Sequence, residues 1–209
     1  MHAYVVFAHP SKQSFTAAVL AELCRGLQDG GHSYEIGDLY EMDFKTDMTL
    51  DEYNREMDVY GNRSILPIPF DVKAEHEKIE KADGLAFVFP LWWSDCPAKL
   101  KGWFDRVWVC GYAYVYENER EEYPISRLTI DRALVLCPAG HTLEHLEETG
   151  IAGSMRDIYL NDRLRPEVGV TRADLVLLGG MTQGDEDMRD RNLELAYGLG
   201  RRFLARPSG

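Results

Sequence analysis

The sequence FVFPLWWSDCPAKLKGWFDRV, residues 87–107, decides the fold. Its first part is a continuous apolar run, typical of a buried strand in a parallel sheet, which ends at Pro90 and leads into a helical pattern starting at Ala98. Between them, Trp92 and Trp93 would form a flat apolar wall at the carboxyl end of the strand, where α/β proteins bind ligands. The alternative is that both tryptophans cap the core. For two adjacent tryptophans after a proline, we favour a ring-shaped ligand.

Strands and helices alternate along the rest of the chain. Four short apolar runs predict central strands of a parallel sheet, at residues 3–8, 85–89, 133–137 and 175–178. A more polar run at residues 33–36 predicts an edge strand. Amphipathic patterns predict helices at residues 14–28, 72–81, 98–109 and 185–204. The alternation predicts an open, doubly wound five-stranded parallel sheet with helices on both faces, and 2-1-3-4-5 is the most economical strand order.

Two segments are longer than the connections that such a sheet needs. Residues 43–70 are polar, contain methionines and end with Pro67 and Pro69. We expect them to form an inserted loop with a functional or interfacial role. Residues 140–169 contain several glycines and one plausible short helix. The length of 209 residues otherwise predicts a single domain, residues 1–209.

The composition argues against several classes of protein. The net charge of −12 argues against nucleic-acid binding, which depends on basic patches. Residues 1–4 lead directly into the first strand without a signal-peptide pattern, and no apolar run approaches the ~18 residues that span a bilayer. Cys24, Cys96, Cys110 and Cys137 are widely separated in apolar surroundings. We therefore expect reduced, mostly buried thiols, no zinc site and a cytoplasmic location.

The turn after the first strand, AHPSKQSFT at residues 8–16, has the features of an anion site. Ser14 is a favourable N-cap for the next helix, whose free amides and positive dipole end would face the carboxyl edge of the sheet. His9 alone is more often a hydrogen-bonded structural histidine. Neither a GxGxxG fingerprint nor a P-loop explains the turn. In a 2-1-3-4-5 sheet the turn lies beside the tryptophans, so a phosphate tail and a flat ring together predict a flavin nucleotide.

The two motifs AHPSKQSFT and FPLWWSDCPAKLKGWFDRV closely resemble those of the NAD(P)H:quinone oxidoreductases, the DT-diaphorase-like flavoproteins with a flavodoxin-like fold. The resemblance covers about residues 3–140 and is weaker beyond Gly140. The chain lacks the long C-terminal extension of the animal enzymes. We therefore expect it to be closer to the shorter bacterial members.

The resemblance implies a set of residues that contact the flavin. The phosphates would be held by His9, Ser14, Phe15 and Thr16. The isoalloxazine ring would be lined by Pro90, Leu91, Trp92, Trp93 and Ser94. At the end of the fourth strand, the backbone would contact the edge of the ring at Cys137, Ala139 and Gly140. Cys137 and Pro138 depart from the family's Thr-Thr-Gly-Gly pattern, and Pro138 removes one N–H donor.

The segment YAYVY, residues 112–116, resembles the family's Phe-Ala-Tyr-x-Tyr, in which tyrosines of one subunit close over the flavin of the other. This implies a homodimer with shared active sites and a substrate pocket that contains Tyr114 and Tyr116. An amphipathic strand with one aromatic face is the alternative. We expect the aromatic residues of the preceding helix to pack either in the core or at the dimer interface. These residues are Trp103, Phe104 and Trp108.

The catalytic residues are not defined by the resemblance. Animal members carry a Tyr and a His in the loop after the fourth strand, and this chain has Leu146 and Ala152 at the aligned positions, neither of which can donate a proton. His141 and His145 lie nearby in the sequence. His145 and Tyr114 are the candidate catalytic residues.

The resemblance implies a flavin-dependent NAD(P)H oxidoreductase that reduces quinones, or related nitro or azo compounds, by ping-pong two-electron transfer. FAD is the expected cofactor and FMN the alternative, with NAD(P)H as co-substrate. A second hypothesis is a flavin-binding regulatory or ancillary protein that acts on a partner such as a transporter. A flavodoxin-like electron carrier is disfavoured, because a carrier needs no dimeric substrate pocket.

Overall fold

Five parallel strands form the central sheet of the computed structural model, which describes residues 1–57, 67–116, 125–164, 168–182 and 186–205. The described residues contain these five strands and two short ones outside the sheet. In chain order they are β1 (His2–Phe7), β2 (Ser33–Asp38), β3 (Gly84–Val88), β4 (Tyr114–Val115), β5 (Ile125–Ser126), β6 (Arg132–Pro138) and β7 (Ala173–Leu178). The sheet order is β2-β1-β3-β6-β7, and β4 pairs with β5 in a separate antiparallel ribbon. The predicted 2-1-3-4-5 order of the parallel sheet is therefore confirmed.

Helices connect the strands and cover the sheet. In the described parts of the chain they are α1 (Phe15–Asp29), α2 (Leu50–Met57), α3 (Phe70–Glu80), α4 (Ala98–Val107), α5 (Leu143–Glu148), α6 (Ile151–Ile158) and α7 (Glu186–Arg202). A short π-helical segment, Tyr159–Arg163, continues directly from α6. Among these described helices, none has the length and apolar character that crossing a membrane would require.

Both faces of the sheet are buried, because alternate side chains of the central strands enter two different apolar clusters. One cluster joins the sheet to α1 and α7. The other joins it to α3, α4 and the π-helical segment, with Phe87 stacked on Phe104 and Phe89 stacked on Tyr159. Helices on both faces were predicted from the strand–helix alternation, and the structure confirms them.

The structure differs from the predictions in three segments. The apolar run at residues 175–178 favours a central strand, but β7 is the outer strand that the predicted order gives, and its exposed Asp174 suits that place. The inserted segment contains α2, which begins with a capping box between Thr49 and Glu52: the Thr49 hydroxyl accepts from the Glu52 amide at 3.2 Å, and the Glu52 carboxylate accepts from the Thr49 amide at 2.8 Å. Residues 58–66 lie outside the described part. Residues 140–169 contain α5, α6 and the π-helical segment instead of one short helix.

The cysteines are free thiols, as expected. Cys24, Cys96 and Cys137 are buried, and Cys110 is half-buried. Burial raises the pKa of Cys24 and that of Cys96 to about 11, so both thiols stay protonated at neutral pH. They pack as small apolar side chains.

Arg106 holds the inserted segment against the core. Its guanidinium donates to the carboxylates of Glu52 at 2.7 Å and Asp71 at 3.0 Å, and to the Lys45 carbonyl at 2.9 Å. Arg106 and Glu52 are both buried, and a buried charge without its partner would be strongly destabilising. The network therefore fixes α2, α3 and the segment after β2 to one side chain of α4.

The same segment passes so close to α4 that only glycine fits at position 102. A Cβ atom on Gly102 would lie 2.5 Å from the carbonyl oxygen of Thr46, which is a backbone atom and has little freedom to move. The glycine of the LKGWFDRV sequence is thus explained by a packing contact.

Gly102→Ala should lower the free energy of unfolding by about 1–3 kcal/mol, because the added methyl group must displace the backbone of Thr46. Urea unfolding followed by circular dichroism measures this. Gly153→Ala in α6 is the matched control, since a Cβ there meets no atom within 4 Å. The control should be neutral or stabilising by up to ~1 kcal/mol. Equal stability of the two variants would contradict the close approach at Gly102.

Candidate functional site

The carboxyl ends of β1 and β3 lie side by side at the centre of the sheet, where the order of the strands changes direction. From β1 the chain moves outward to β2, whereas β3 lies on the opposite side of β1. In open α/β sheets, such a switch point opens a crevice that binds ligands. The β1–α1 turn (residues 8–14) and the turn after β3 (residues 89–97) therefore border one crevice.

The β1–α1 turn is arranged to receive an anion. Ser14 caps α1, as predicted, because its hydroxyl oxygen accepts from the Ala17 amide at 3.1 Å and its O–H donates to the Ser11 carbonyl at 2.9 Å. The amides of Phe15 and Thr16 lie in the first helical turn, where the helix itself offers no acceptor. These donors and the positive end of the helix dipole face the crevice together.

His9 connects this turn to the tryptophans. Its ring lies 5.6 Å from that of Trp92, measured between centroids. The Ser11 amide donates to the Nδ1 atom of His9 at 3.0 Å, which places the proton of the neutral ring on Nε2. Partial burial lowers the pKa of His9, and the contact with the Ser11 carbonyl offsets this only in part. At neutral pH the ring is therefore an uncharged hydrogen-bond donor.

Residues 92–95, the tryptophan turn, form a two-residue hairpin. The Trp92 amide donates to the Asp95 carbonyl at 2.9 Å, and the Asp95 amide donates to the Trp92 carbonyl at 3.2 Å. The two central residues have positive φ angles, 51° at Trp93 and 64° at Ser94. A type I′ turn requires this and normally uses Asn-Gly, because other residues in such conformations cost about 1–3 kcal/mol each. The Trp93 side chain is fully exposed, so burial of its ring does not offset that cost.

The carboxylate of Asp95 fastens the tryptophan turn to the rest of the protein. It accepts from the Cys96 amide at 2.7 Å, from the Tyr159 hydroxyl at 3.0 Å and from both terminal nitrogens of Arg163 at 3.1 Å. Burial alone would raise the pKa of Asp95, but the hydrogen bonds and charge of Arg163 outweigh it, and the pKa lies below its ordinary value. The carboxylate is therefore charged and fully engaged at neutral pH.

The end of β6 forms a third border of the crevice. The Pro138 carbonyl accepts from the Leu91 amide at 2.8 Å, which joins this end to the turn after β3. The Cys137 thiol is fully buried, and the Ala139 amide donates to the Leu178 carbonyl at 2.9 Å, so both are already used by the sheet. A cleft of about 330 Å³ lies beyond them and is lined by Gly140, His141, Thr142, His145 and Thr182. The two imidazole rings in this cleft are 4.5 Å apart between centroids.

The two tyrosines predicted for the substrate pocket lie together. The rings of Tyr114 and Tyr116 meet edge to face, with centroids 6.0 Å apart. They border a cleft of about 440 Å³, the tyrosine cleft, which is also lined by Lys101, Phe104, Asp105, Trp108, Ile158, Asp162, Arg163 and Val168. Trp103 and Phe104 are buried within the single chain, which favours core packing over a dimer interface for both.

A protein-family model described as the flavodoxin-like fold matches residues 1–197. The chain belongs to this family. Among solved structures, an NAD(P)H:quinone oxidoreductase from Methanothermobacter marburgensis is 52% identical and superposes with a TM-score of 0.89, covering 97% of this chain and 98% of that one. This relative confirms the expected membership in the NAD(P)H:quinone oxidoreductase group.

The curated relatives of this flavodoxin-like protein include one of about the same length and several longer ones. An uncharacterised NAD(P)H oxidoreductase of Haemophilus influenzae is 30% identical over 197 residues, 94% of this chain and 92% of the relative. A ribosyldihydronicotinamide dehydrogenase-like protein of Penicillium crustosum is 32% identical over 175 residues, 76% of this chain but 64% of the relative. The chain also spans only 59 to 69% of the mammalian quinone dehydrogenases that it matches. It therefore resembles the short members, as expected.

Sequence reasoning missed the residues that support the tryptophan turn in this flavodoxin-like protein. Asp95 lies inside the decisive motif, but nothing in the motif distinguishes it from a spacer. Tyr159 and Arg163 lie beyond Gly140, where the resemblance is weak. A π-helical segment has no sequence signature of its own, although such segments are frequent at functional sites.

Trp93→Gly should raise the free energy of unfolding of the cofactor-free protein by roughly 0.5–1 kcal/mol. Glycine relieves a left-handed conformation that costs about 1–2 kcal/mol. Against this gain, glycine raises the entropy of the unfolded chain, which costs about 0.5–1 kcal/mol on folding. No buried ring is lost. Urea unfolding at one fixed protein concentration measures the difference.

Phe70→Gly is the matched control for this variant, because Phe70 is also an exposed aromatic residue but lies at the start of α3 with ordinary helical geometry. It should lose up to about 1 kcal/mol. A loss of stability in both variants would show that the turn is not strained at Trp93.

Proposed function

We propose that this flavodoxin-like protein is a flavin-dependent NAD(P)H oxidoreductase that reduces quinones or related nitro or azo compounds, and that residues 1–209 form one flavin-binding domain. The observation that carries the proposal is the tryptophan turn. A fully exposed Trp93 is held at positive φ at the switch point of the sheet, next to Trp92, whose ring lies 5.6 Å from that of His9 in the β1–α1 turn. Strain of this kind persists where the surrounding structure imposes it, and it clusters at ligand-binding and active sites. The 52% identity to a quinone oxidoreductase supports the same reaction class.

The phosphate end of the flavin would be bound by the β1–α1 turn. The available amides of Phe15 and Thr16 would donate to a phosphate, and the cap formed by Ser14 keeps them directed toward the crevice. His9 would add an uncharged N–H from Nε2. Because none of these donors is a titrating cation at neutral pH, phosphate binding would depend on geometry and on the helix dipole.

The ring of the flavin would lie against the turn after β3. Pro90 and Leu91 would support it from the end of the strand, and Trp92, Trp93 and Ser94 would line it. On the β6 side, Gly140 would approach the edge of the ring, while Cys137 and Ala139 would support that loop from inside the protein.

We propose FAD as the flavin, with FMN as the alternative. The chain at the end of β2 lies close to the phosphate end of the crevice. Lys12 in the β1–α1 turn forms ion pairs with Asp38, the last residue of β2, and with Glu41 in the segment that follows. This segment leads into the insertion that would cover the second half of a dinucleotide. The co-substrate is NADH or NADPH.

A homodimer with shared active sites is part of the proposal. Tyr114 and Tyr116 border the tyrosine cleft on the surface of one chain, and Trp93 is fully exposed on the same chain. A second copy that covered these aromatic side chains would complete a substrate pocket. Light scattering coupled to size-exclusion chromatography measures the expected dimer.

A bound flavin would supply two-electron chemistry between NAD(P)H and an acceptor. The protein would contribute position: the tryptophan turn offers one flat surface, and the β1–α1 turn fixes the other end of the cofactor. Correct placement of two reactants can lower a barrier by about 7–11 kcal/mol without a protein acid. NAD(P)H and the acceptor would occupy the same place in turn, which gives ping-pong kinetics. His145 and Tyr114 are the candidate proton donors.

The second candidate is a flavin-binding regulatory or ancillary protein. The observation that favours it is the loss of both proton-donating positions of the animal enzymes, since Leu146 and Ala152 are apolar and buried. The two functions differ in one measurable property, which is the rate at which NAD(P)H reduces the bound flavin.

The purified protein should be yellow and release FAD or FMN on denaturation, as identified by liquid chromatography. Anaerobic addition of NADPH or NADH should bleach the flavin absorbance within seconds, and a quinone should restore it. Stable colour without bleaching would support the regulatory function instead. A protein that takes up neither FAD nor FMN would refute both.

Ser14→Ala should weaken flavin binding about tenfold, because the cap that orients the phosphate-binding amides is lost. Thr49→Ala is the matched control: it removes the N-cap of α2, which lies in the inserted segment. Each variant should lose about 1 kcal/mol of stability. Only the first should change the dissociation constant of FMN, measured by flavin fluorescence, because FMN lacks the second half of the dinucleotide that the inserted segment would cover. An equal effect on binding would contradict the phosphate role of the β1–α1 turn.

A further inference from the structure

Arg163 contacts both halves of the candidate site. Its terminal nitrogens donate to the two carboxylate oxygens of Asp95 at 3.1 Å each, a planar two-bond pairing that fixes direction as well as distance. The guanidinium carbon lies 4.7 Å from the ring centroid of Tyr159 and 5.1 Å from that of Phe104. The same side chain lines the tyrosine cleft. Arg163 is therefore held between aromatic rings at the boundary of the tryptophan turn and the cleft.

The tryptophan turn needs external support. Trp93 and Ser94 both have positive φ angles, and neither residue is a glycine or asparagine that would adopt them readily. The exposed Trp93 side chain contributes no burial. The bonds that oppose relaxation are the pair between Trp92 and Asp95 in the backbone and the carboxylate bonds of Asp95.

We propose that Asp95 and Arg163 are positioning residues that hold Trp93 and Ser94 in the conformation that receives the flavin. This inference rests on the proposed function and adds to it the residues that prepare the ring-binding surface. Neither residue is assigned a contact with the flavin. Without the pair, the turn would populate other conformations, and the apparent affinity for flavin would fall by the fraction of molecules that keep the competent one.

A suppressor experiment tests the pair. Ser94→Gly makes positive φ easy at one of the two strained positions, so it should make the turn less dependent on Arg163. The dissociation constants of FMN and FAD are measured for the wild type, Arg163→Gln, Ser94→Gly and the double variant. Arg163→Gln should weaken binding at least tenfold in the wild-type background and less than threefold in the Ser94→Gly background.

Two further variants sharpen the interpretation. Arg163→Lys keeps the charge but cannot make the planar pairing with Asp95, so it should lose affinity to an intermediate extent. Arg106→Gln removes another buried arginine–carboxylate network, far from the tryptophan turn in its contacts. Ser94→Gly should not restore any flavin affinity that Arg106→Gln loses. An equal loss from Arg163→Gln in both Ser94 backgrounds, or full binding by Arg163→Gln, would overturn the positioning role.

A measurement without flavin separates this inference from the proposed function. In the cofactor-free protein, hydrogen exchange of the Trp92 and Asp95 amides should be at least tenfold faster in Arg163→Gln, and Ser94→Gly should restore protection. The Ala86 amide inside β3 should exchange equally in all variants. Unchanged exchange at Trp92 and Asp95 would overturn the pairing role. If Arg163→Gln accelerates this exchange but the wild-type protein binds no flavin, the proposed function is refuted and the role of the pair is supported.

Discussion

The parallel pairing of β1 with β3 is the constraint on which the rest of the structure depends. Both strands are buried almost completely, and their register is fixed, with Val5 opposite Ala86. A slip by one residue would turn each apolar side chain toward the wrong cluster. Since parallel strands end at the same edge, the N-terminus of α1 and the tryptophan turn must emerge side by side. The candidate site is thus a consequence of strand register.

The sheet could be predicted from the sequence because continuous apolar runs mark strands that are covered on both faces. The outer place of β7 follows from the predicted strand order and not from its composition, since Leu175 to Leu178 are as apolar as an inner strand. The helix α2 has a polar composition, and its one local signal was the Thr49 and Glu52 capping box. Tertiary partners, above all Arg106, determine where it lies.

The parts of the site that could be predicted are those encoded in one stretch of chain: the cap at Ser14 and the paired tryptophans. Two features of the site could not be predicted from the sequence. Backbone angles at Trp93 and Ser94 contradict local preference and exist only because the surroundings impose them. The support itself joins residues 68 positions apart, so no local pattern contains it. Aromatic residues of the same motif serve the interior instead, as when the Trp103 indole donates to the buried Glu75 carboxylate at 2.7 Å.

The close approach of Thr46 to Gly102 has a consequence for how this protein can be redesigned or can diverge. The inserted segment and α4 depend on each other and must change together. The segment supplies the acceptors, the Glu52 carboxylate and the Lys45 carbonyl, whereas α4 supplies the Arg106 guanidinium and the space left by Gly102. Trimming the segment to a minimal connection would remove two acceptors of the buried Arg106 guanidinium, the Glu52 carboxylate and the Lys45 carbonyl, and leave it the pair with Asp71. A chimera that exchanges either piece must therefore exchange both.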